Sequence, residues 1–373
     1  MNGTAIFTDS RGAVAVMVGI CLAMLLGFGA LTLDIGHALV TRSELQNVAD
    51  AAALAGTRTL GQIYFCLCPV PTGTVCPAAA APATGTPPPP PTTACINETK
   101  THVLTAGDIS AITTTVQNVA QQNQAAGTAI AIPTADIQIG TWSNATKTLT
   151  VTNTVAHAVR VRARRDGTAN LPITTFLAGL MGVQNISVST PATASLTGIS
   201  GTGPGDLDAP FAISDGNPCN QNIRFYPTNS GIGCSGWTTY TTSPSNANTL
   251  RTEIDGMRTG SYTTPAVAVG DSLNFTGGNV ASALPNLINL YNAKKDPATG
   301  FWDVFVPVYG NGGSCANPNG AMTIVGFASI RVTNVQGPPT QQIDAIVSCN
   351  LVEPGRGGGS DFGTVGSIPG LVQ

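Results

Sequence analysis

Ala13–Leu33 reads AVAVMVGICLAMLLGFGALTL, and residues 34–56 continue it as DIGHALVTRSELQNVADAAALAG. The first stretch holds no charged residue; Arg11 lies before it and Asp34 directly follows it. At about 1.5 Å rise per residue these 21 residues span roughly 31 Å as a helix, close to the ~30 Å hydrocarbon core of a bilayer. The second stretch lacks proline and is rich in Ala and Leu, so the helix is expected to run on beyond the membrane. The sequence therefore predicts a single helix with its lower half in lipid and its upper half in water. A cleaved signal peptide is the alternative. Such peptides have an apolar core of about 7–15 residues and a basic start. Here the core is longer, and the preceding tail sets only Arg11 against Asp9, so a retained anchor is expected.

Charge does not orient the span, because Arg11 on one side is matched by Arg42 on the other. Cysteine does. Cys21 lies in the apolar run, and Cys66, Cys68, Cys76, Cys95, Cys219, Cys234, Cys315 and Cys349 all follow it. An even set in a loop-rich chain points to disulfides and an oxidising compartment. The short N-terminus is thus expected inside and the bulk outside. The cysteine spacings are not those of a zinc site, and His37, His102 and His157 are scattered, so no metal site is expected.

Only 9% of residues are charged, against about 25% in an average soluble domain. With a formal charge of −3 there is no electrostatic case for nucleic acid. Gly and Pro together make roughly 18% of the chain, against about 12% on average, which signals turns and loops. An apolar share of 42% argues against general disorder.

Domain organisation follows composition. Residues 1–12 form a tail, 13–33 the span and 34–62 its continuation. Residues 63–96 hold five consecutive prolines bracketed by four cysteines and read as a stapled insertion. Within 97–200, Ile109, Ile112, Val116 and Val119 mark an amphipathic helix. Strands are expected at 136–142, 148–153 and 154–164, a short apolar helix at 172–182, and a strand at 183–196. The fold class is α+β, with the long helix packed on a mainly antiparallel sheet. Residues 201–208 read as a Gly-rich linker, 209–352 as a second, β-rich domain with one helix near 281–293, and 353–373 as a flexible tail.

The segment RGAVAVM, the apolar span and LDIGHALVTRSELQNVADAAALAG together resemble the N-terminal segment of TadG-like proteins of the Flp (tight-adherence) pilus-assembly system. The residues that carry the likeness are Arg11, Gly12, Ala13, Asp34, Gly36, Arg42, Leu45, Gln46, Asn47, Ala49, Asp50, Leu54, Ala55 and Gly56, with Ala51 to Ala53. A looser similarity runs through DIQIGTW, AHAVRVRARR and PITTFLAGLMGVQNISVSTPATASL, and through GDSLNFTGGNV and FVPVYG towards the C-terminus. The resemblance implies a structural role in a bacterial inner membrane, with pilus or envelope-assembly proteins, and a second copy of itself, as partners. Two departures limit it. The Asp-x-Ser-x-Ser run of metal-dependent adhesion modules is absent, and Met17 stands where prepilin peptidase substrates carry Glu.

Ala15, Gly19, Ala23 and Gly27 recur every four residues and line one face of the span, a pattern that lets helices approach closely in lipid. Asp34 is placed to pair with His37 or Arg42, to bind a partner, or to stand solvated at the boundary. Arg160, Arg162 and Arg164 share one face of a strand beside Arg165 and could meet an acidic partner or lipid head group; an exposed sheet face is the plainer reading. Gly233-Cys-Ser-Gly-Trp237 looks like a nucleophile loop, but Cys234 is better used in a disulfide, and no catalytic constellation or cofactor motif is found. The function expected is envelope-anchored scaffolding without catalysis; the alternative is an anchored adhesin or ligand-binding protein.

Overall fold

The computed structural model describes residues 10–67, 102–217, 220, 222–225, 235–276, 280–314, 318, 320–349 and 351–372. Helix α1 is Ser10–Cys66, 57 residues, or roughly 86 Å of continuous helix. It runs through the point where the Cys/Pro-rich insertion was expected to begin, so the break falls after Cys66; the rest of that insertion lies outside the described residues. The two halves of α1 meet different surroundings. Residues 14–33 are exposed almost throughout, whereas Leu45, Val48, Ala49, Ala52, Ala53, Leu60, Ile63 and Tyr64 are buried. Their spacing of three and four gives the upper half one apolar stripe to bury.

That stripe packs against helix α2 (Ala106–Gln121) and a five-stranded antiparallel sheet. Thr105 starts α2 with a capping box: its hydroxyl accepts from the Asp108 N–H, and the Asp108 carboxylate accepts from the Thr105 N–H. Ile112, Val116 and Ala120 then face the core at intervals of four. The strands are β1 (Ile137–Ser143), β2 (Thr148–Val151), β3 (Ala158–Arg165) and β4 (Val188–Ser195). Strand β3 starts four residues later than expected, because Val155 adopts φ +56° and breaks the alternation. From Ala158 onward the alternation holds, with Val159, Val161 and Ala163 buried against α1.

The short helix expected over 172–182 does not form. Ile173–Thr174 pairs instead with Asn185–Ile186, and only a 3-10 turn, Ala178–Met181, closes the tip. The Thr175 N–H and hydroxyl bond to the carbonyls of Gln184 and Val183, which consumes the backbone a helix would need.

Of the segment expected as a linker, 201–208, the first two residues belong to strand β5 (Gly198–Thr202), and Leu207 is buried. The second half contains β6 (Phe211–Ser214), β7 (Asn222–Phe225), β8 (Ser235–Thr238), α3 (Ala247–Thr259), β9 (Val267–Ala268), β10 (Ser272–Thr276), α4 (Leu284–Lys294), β11 (Trp302–Tyr309), β12 (Gly320–Gln336) and β13 (Gln342–Val347). Strand β12 pairs in turn with β10, β11 and β13, while β6 pairs parallel to β11 and antiparallel to β8. Strands β12, β10, β8, β6 and β11 therefore close a circuit. Phe211, Trp237, Tyr240, Phe275, Tyr309 and Phe327 fill its core with Leu250, Ile254, Leu284 and Leu287 from the two helices.

The expected flexible tail is also ordered: β14 (Leu351–Gly359), β15 (Thr364–Ile368) and β16 (Gly370–Leu371). Its glycines reflect close approach. A Cβ at Gly366 would lie 2.5 Å from the Gly355 carbonyl oxygen, so the strands could not meet with side chains there. Strands β9, β5, β14 and β15 make a small sheet whose Ile199 joins the second core and whose Val352 and Val365 join the first. Strand β16 then completes the five-stranded sheet beside β4.

Candidate functional site

Strand β4 runs alongside α1 in the same direction. Near its start Pro191 and Thr190 bond to Gln46, and near its end the Ala194 carbonyl accepts from the Thr57 hydroxyl. The β3–β4 connection, residues 166–187, therefore leaves the sheet at the end nearest the apolar half of the helix. It reaches Asp34. The Asp34 carboxylate accepts the N–H groups of Phe176 (2.6 Å), Leu177 (3.2 Å) and Ala178 (2.7 Å) and is buried beneath them. The Ala178 and Phe176 amides, with Leu177 and nearby His37, hold this carboxyl below its ordinary range against the effect of burial. Asp34 is thus neither solvated nor an Arg42 partner; it is the tether between helix and hairpin. The His37 ring lies 5.4 Å from that of Phe176.

Above Asp34 the motif residues divide between packing and surface. Leu45 is buried, the Gln46 amide donates to Asp50 at 2.7 Å, and Arg42 and Asn47 are exposed. At Gly56 α1 lies close against α2 and β3: a Cβ there would lie 2.6 Å from Val116 and 3.3 Å from Val159. Gly36 has open space around it. Arg11 and Gly12 lie in the first turns of α1. Ala15, Gly19, Ala23 and Gly27 are all exposed, and a Cβ at Gly19 or Gly27 would meet nothing within 4 Å. The stripe is unpartnered within the described chain.

The four arginines of β3 have separate fates. Arg164 pairs with Asp136 at 2.7 Å, and Arg165 is buried, donating to the Leu171 and Ala125 carbonyls. Arg160 and Arg162 remain on the outer face, where with Gln138 and Ser189 they line an open cleft of about 420 Å³. The buried Asp136, paired with Arg164, also lines this cleft, and Arg162 donates to Ser189 at 3.4 Å.

Residues 12–62 match the family model described as putative Flp pilus-assembly TadE/G-like, and residues 94–194 match a second, described as putative Tad-like Flp pilus-assembly. Over both segments the chain is similar to Tad-type pilus-assembly proteins. No curated protein and no solved structure matches it. The two Tad segments are separate in sequence but share one core: the first supplies α1, and the second supplies α2, β1 to β3 and most of β4. The closed β circuit lies outside both.

The histidines make separate polar contacts. His102 bonds to Asp108 at 3.1 Å, and the Trp142 N–H donates to His157 at 3.2 Å. Among the described residues no group of three or more His, Cys, Asp or Glu side chains could hold a metal. Cys21 is free and exposed, whereas Cys66 and Cys349 are disulfide-bonded. Cys68, Cys76, Cys95, Cys219, Cys234 and Cys315, and the loop 233–237 up to Cys234, lie outside the described residues. The Asp34 tether was missed from sequence because its partners are backbone amides some 140 residues away, a relationship no local motif encodes.

Proposed function

We propose that the protein is a single-pass, envelope-anchored structural component of Flp/Tad-type pilus assembly or a related secretion apparatus, acting as a scaffold. The observation that carries this reading is the division of α1. Its upper half is the central element of the Tad-type core, while the most apolar 18-residue window of the helix is wholly unburied and long enough to cross a bilayer. In this reading the span sits in the bacterial inner membrane with the N-terminus cytoplasmic. The stripe Ala15, Gly19, Ala23 and Gly27 receives a partner helix from another assembly protein or a second copy. The outer cysteines are oxidised, with Cys219–Cys234 and Cys315–Cys349 as local staples of the second domain. Crosslinking in native envelopes followed by mass spectrometry tests this directly. Crosslinks from residues 13–33 to other pilus-assembly proteins are expected; links confined to lipid or to unrelated abundant proteins would sink it.

A further inference from the structure

We propose that the β3–β4 hairpin is a second membrane contact, its tip resting in the lipid headgroup region beside α1. The proposal deepens the anchored reading above and rests on it. Asp34 is the first charged residue after the apolar span, so it marks the outer membrane boundary. By accepting three successive backbone N–H groups from Phe176 to Ala178, it fixes the hairpin at that level. The hairpin presents large apolar side chains there: Phe176 is 71% exposed and Val183 52%. The exposed Ile35, Leu39 and Val40 of α1 lie within two turns of Asp34 and continue the collar. Residues 167–205 contain no charged side chain at all. In water such a collar would be a costly patch; against lipid it is the ordinary complement.

The backbone is suited to the same place. Irregular backbone cannot face hydrocarbon unless its polar groups are satisfied within the protein. Here Asp34 takes the N–H groups of residues 176–178, Gly182 and Val183 donate to Gly179 and Ala178, and Thr175 bonds to Gln184 and Val183. The tip can therefore leave water without stranding those donors, and the ionised Asp34 keeps it at the interface rather than in the bilayer core. Two contacts instead of one would fix how the folded body leans and turns on the membrane.

The test uses the full chain in phosphatidylcholine–phosphatidylglycerol vesicles containing lipids brominated at shallow or deep acyl positions. Phe176→Trp and Val183→Trp add a reporter at exposed positions, with the unsubstituted protein, which has three tryptophans, as the background. A Leu25→Trp variant reports on the span. The expected result is quenching of the added emission at 176 and 183 by shallow bromines and protection from aqueous iodide, with Leu25→Trp quenched by deep bromines. If the Leu25 reporter is quenched but those at 176 and 183 are open to iodide, the hairpin contact is refuted and the anchor stands. If none is quenched, the anchored reading fails and the hairpin contact with it.

Discussion

Gly56 of α1 faces Val116 of α2 so closely that a Cβ at position 56 would sit 2.6 Å from the valine Cγ2. Val159 of β3 closes the other side at 3.3 Å, and both neighbours are β-branched and stiff. Gly56→Ala is expected to destabilise the Tad-type core by about 1–3 kcal/mol, as overpacking does. Gly36→Ala, in open space on the same helix, is expected to be neutral or stabilising by up to about 1 kcal/mol. Thermal unfolding of the two variants in detergent checks the contrast.

The capping box of α2 should be visible in acid. Burial works against the Asp108 charge, but the Thr105 donors and His102 outweigh it and hold the carboxyl below its usual value. A depressed folded-state pKa stabilises the protein above the unfolded value, near 3.9, and that contribution is lost as pH falls through the folded value. Thr105→Ala should cost about 1 kcal/mol at neutral pH and flatten the acid limb of stability against pH.

Glu353 should behave in the opposite sense. Burial, reinforced by Asp208 and Asp303, pushes its carboxyl up to about 7. The folded state then holds a proton that the unfolded state releases at its ordinary pKa, so stability falls as pH rises from about 4.5 to about 7. Glu353→Gln removes this slope and should stabilise the protein by about 1–3 kcal/mol at pH 7.5, read by denaturant unfolding at several pH values.

Bulk on the small-residue face should separate docking from insertion. Gly19→Ile leaves the span more hydrophobic, so membrane integration should persist. Co-purification with other envelope components is expected to drop through lost packing. Leu25→Phe, away from that face, is the control. Equal behaviour of the two variants would reduce the stripe to ordinary membrane-helix composition.

Thiol labelling of denatured, unreduced protein should modify Cys21, the free and exposed cysteine, and leave Cys66 and Cys349 unmodified. Prior reduction should expose both. Labelling of the remaining outer cysteines without reduction would overturn the oxidised-compartment reading.

The elements legible in the sequence were those whose cause is local. The apolar run of α1, the Ile109, Ile112, Val116 and Val119 spacing of α2 and the alternation through Val159 and Val161 each reflect a period that neighbouring residues encode. Helix α3 was missed although Asn246 caps its start and Gly260 ends it at φ +80°, because few of its residues are apolar. Glycine misled twice. At Gly198, Gly359 and Gly366 it marks backbones too close for a side chain, while composition alone reads it as slack. The Asp34 tether, the closed β circuit and the return of β16 depend on partners distant in sequence, which no window of the chain contains.

That return sets an order on the birth of the molecule. Leu371 pairs with Ala194, and Ser367 lies over Gly61, where a Cβ would be 2.7 Å from its carbonyl oxygen. The sheet around the helix thus waits for residues made long after its other strands. In the anchored reading proposed above, the body stays unfinished during export, with the edge of β4 bare, until Gly370 and Leu371 have emerged. An arrested chain would expose that edge to any passing strand.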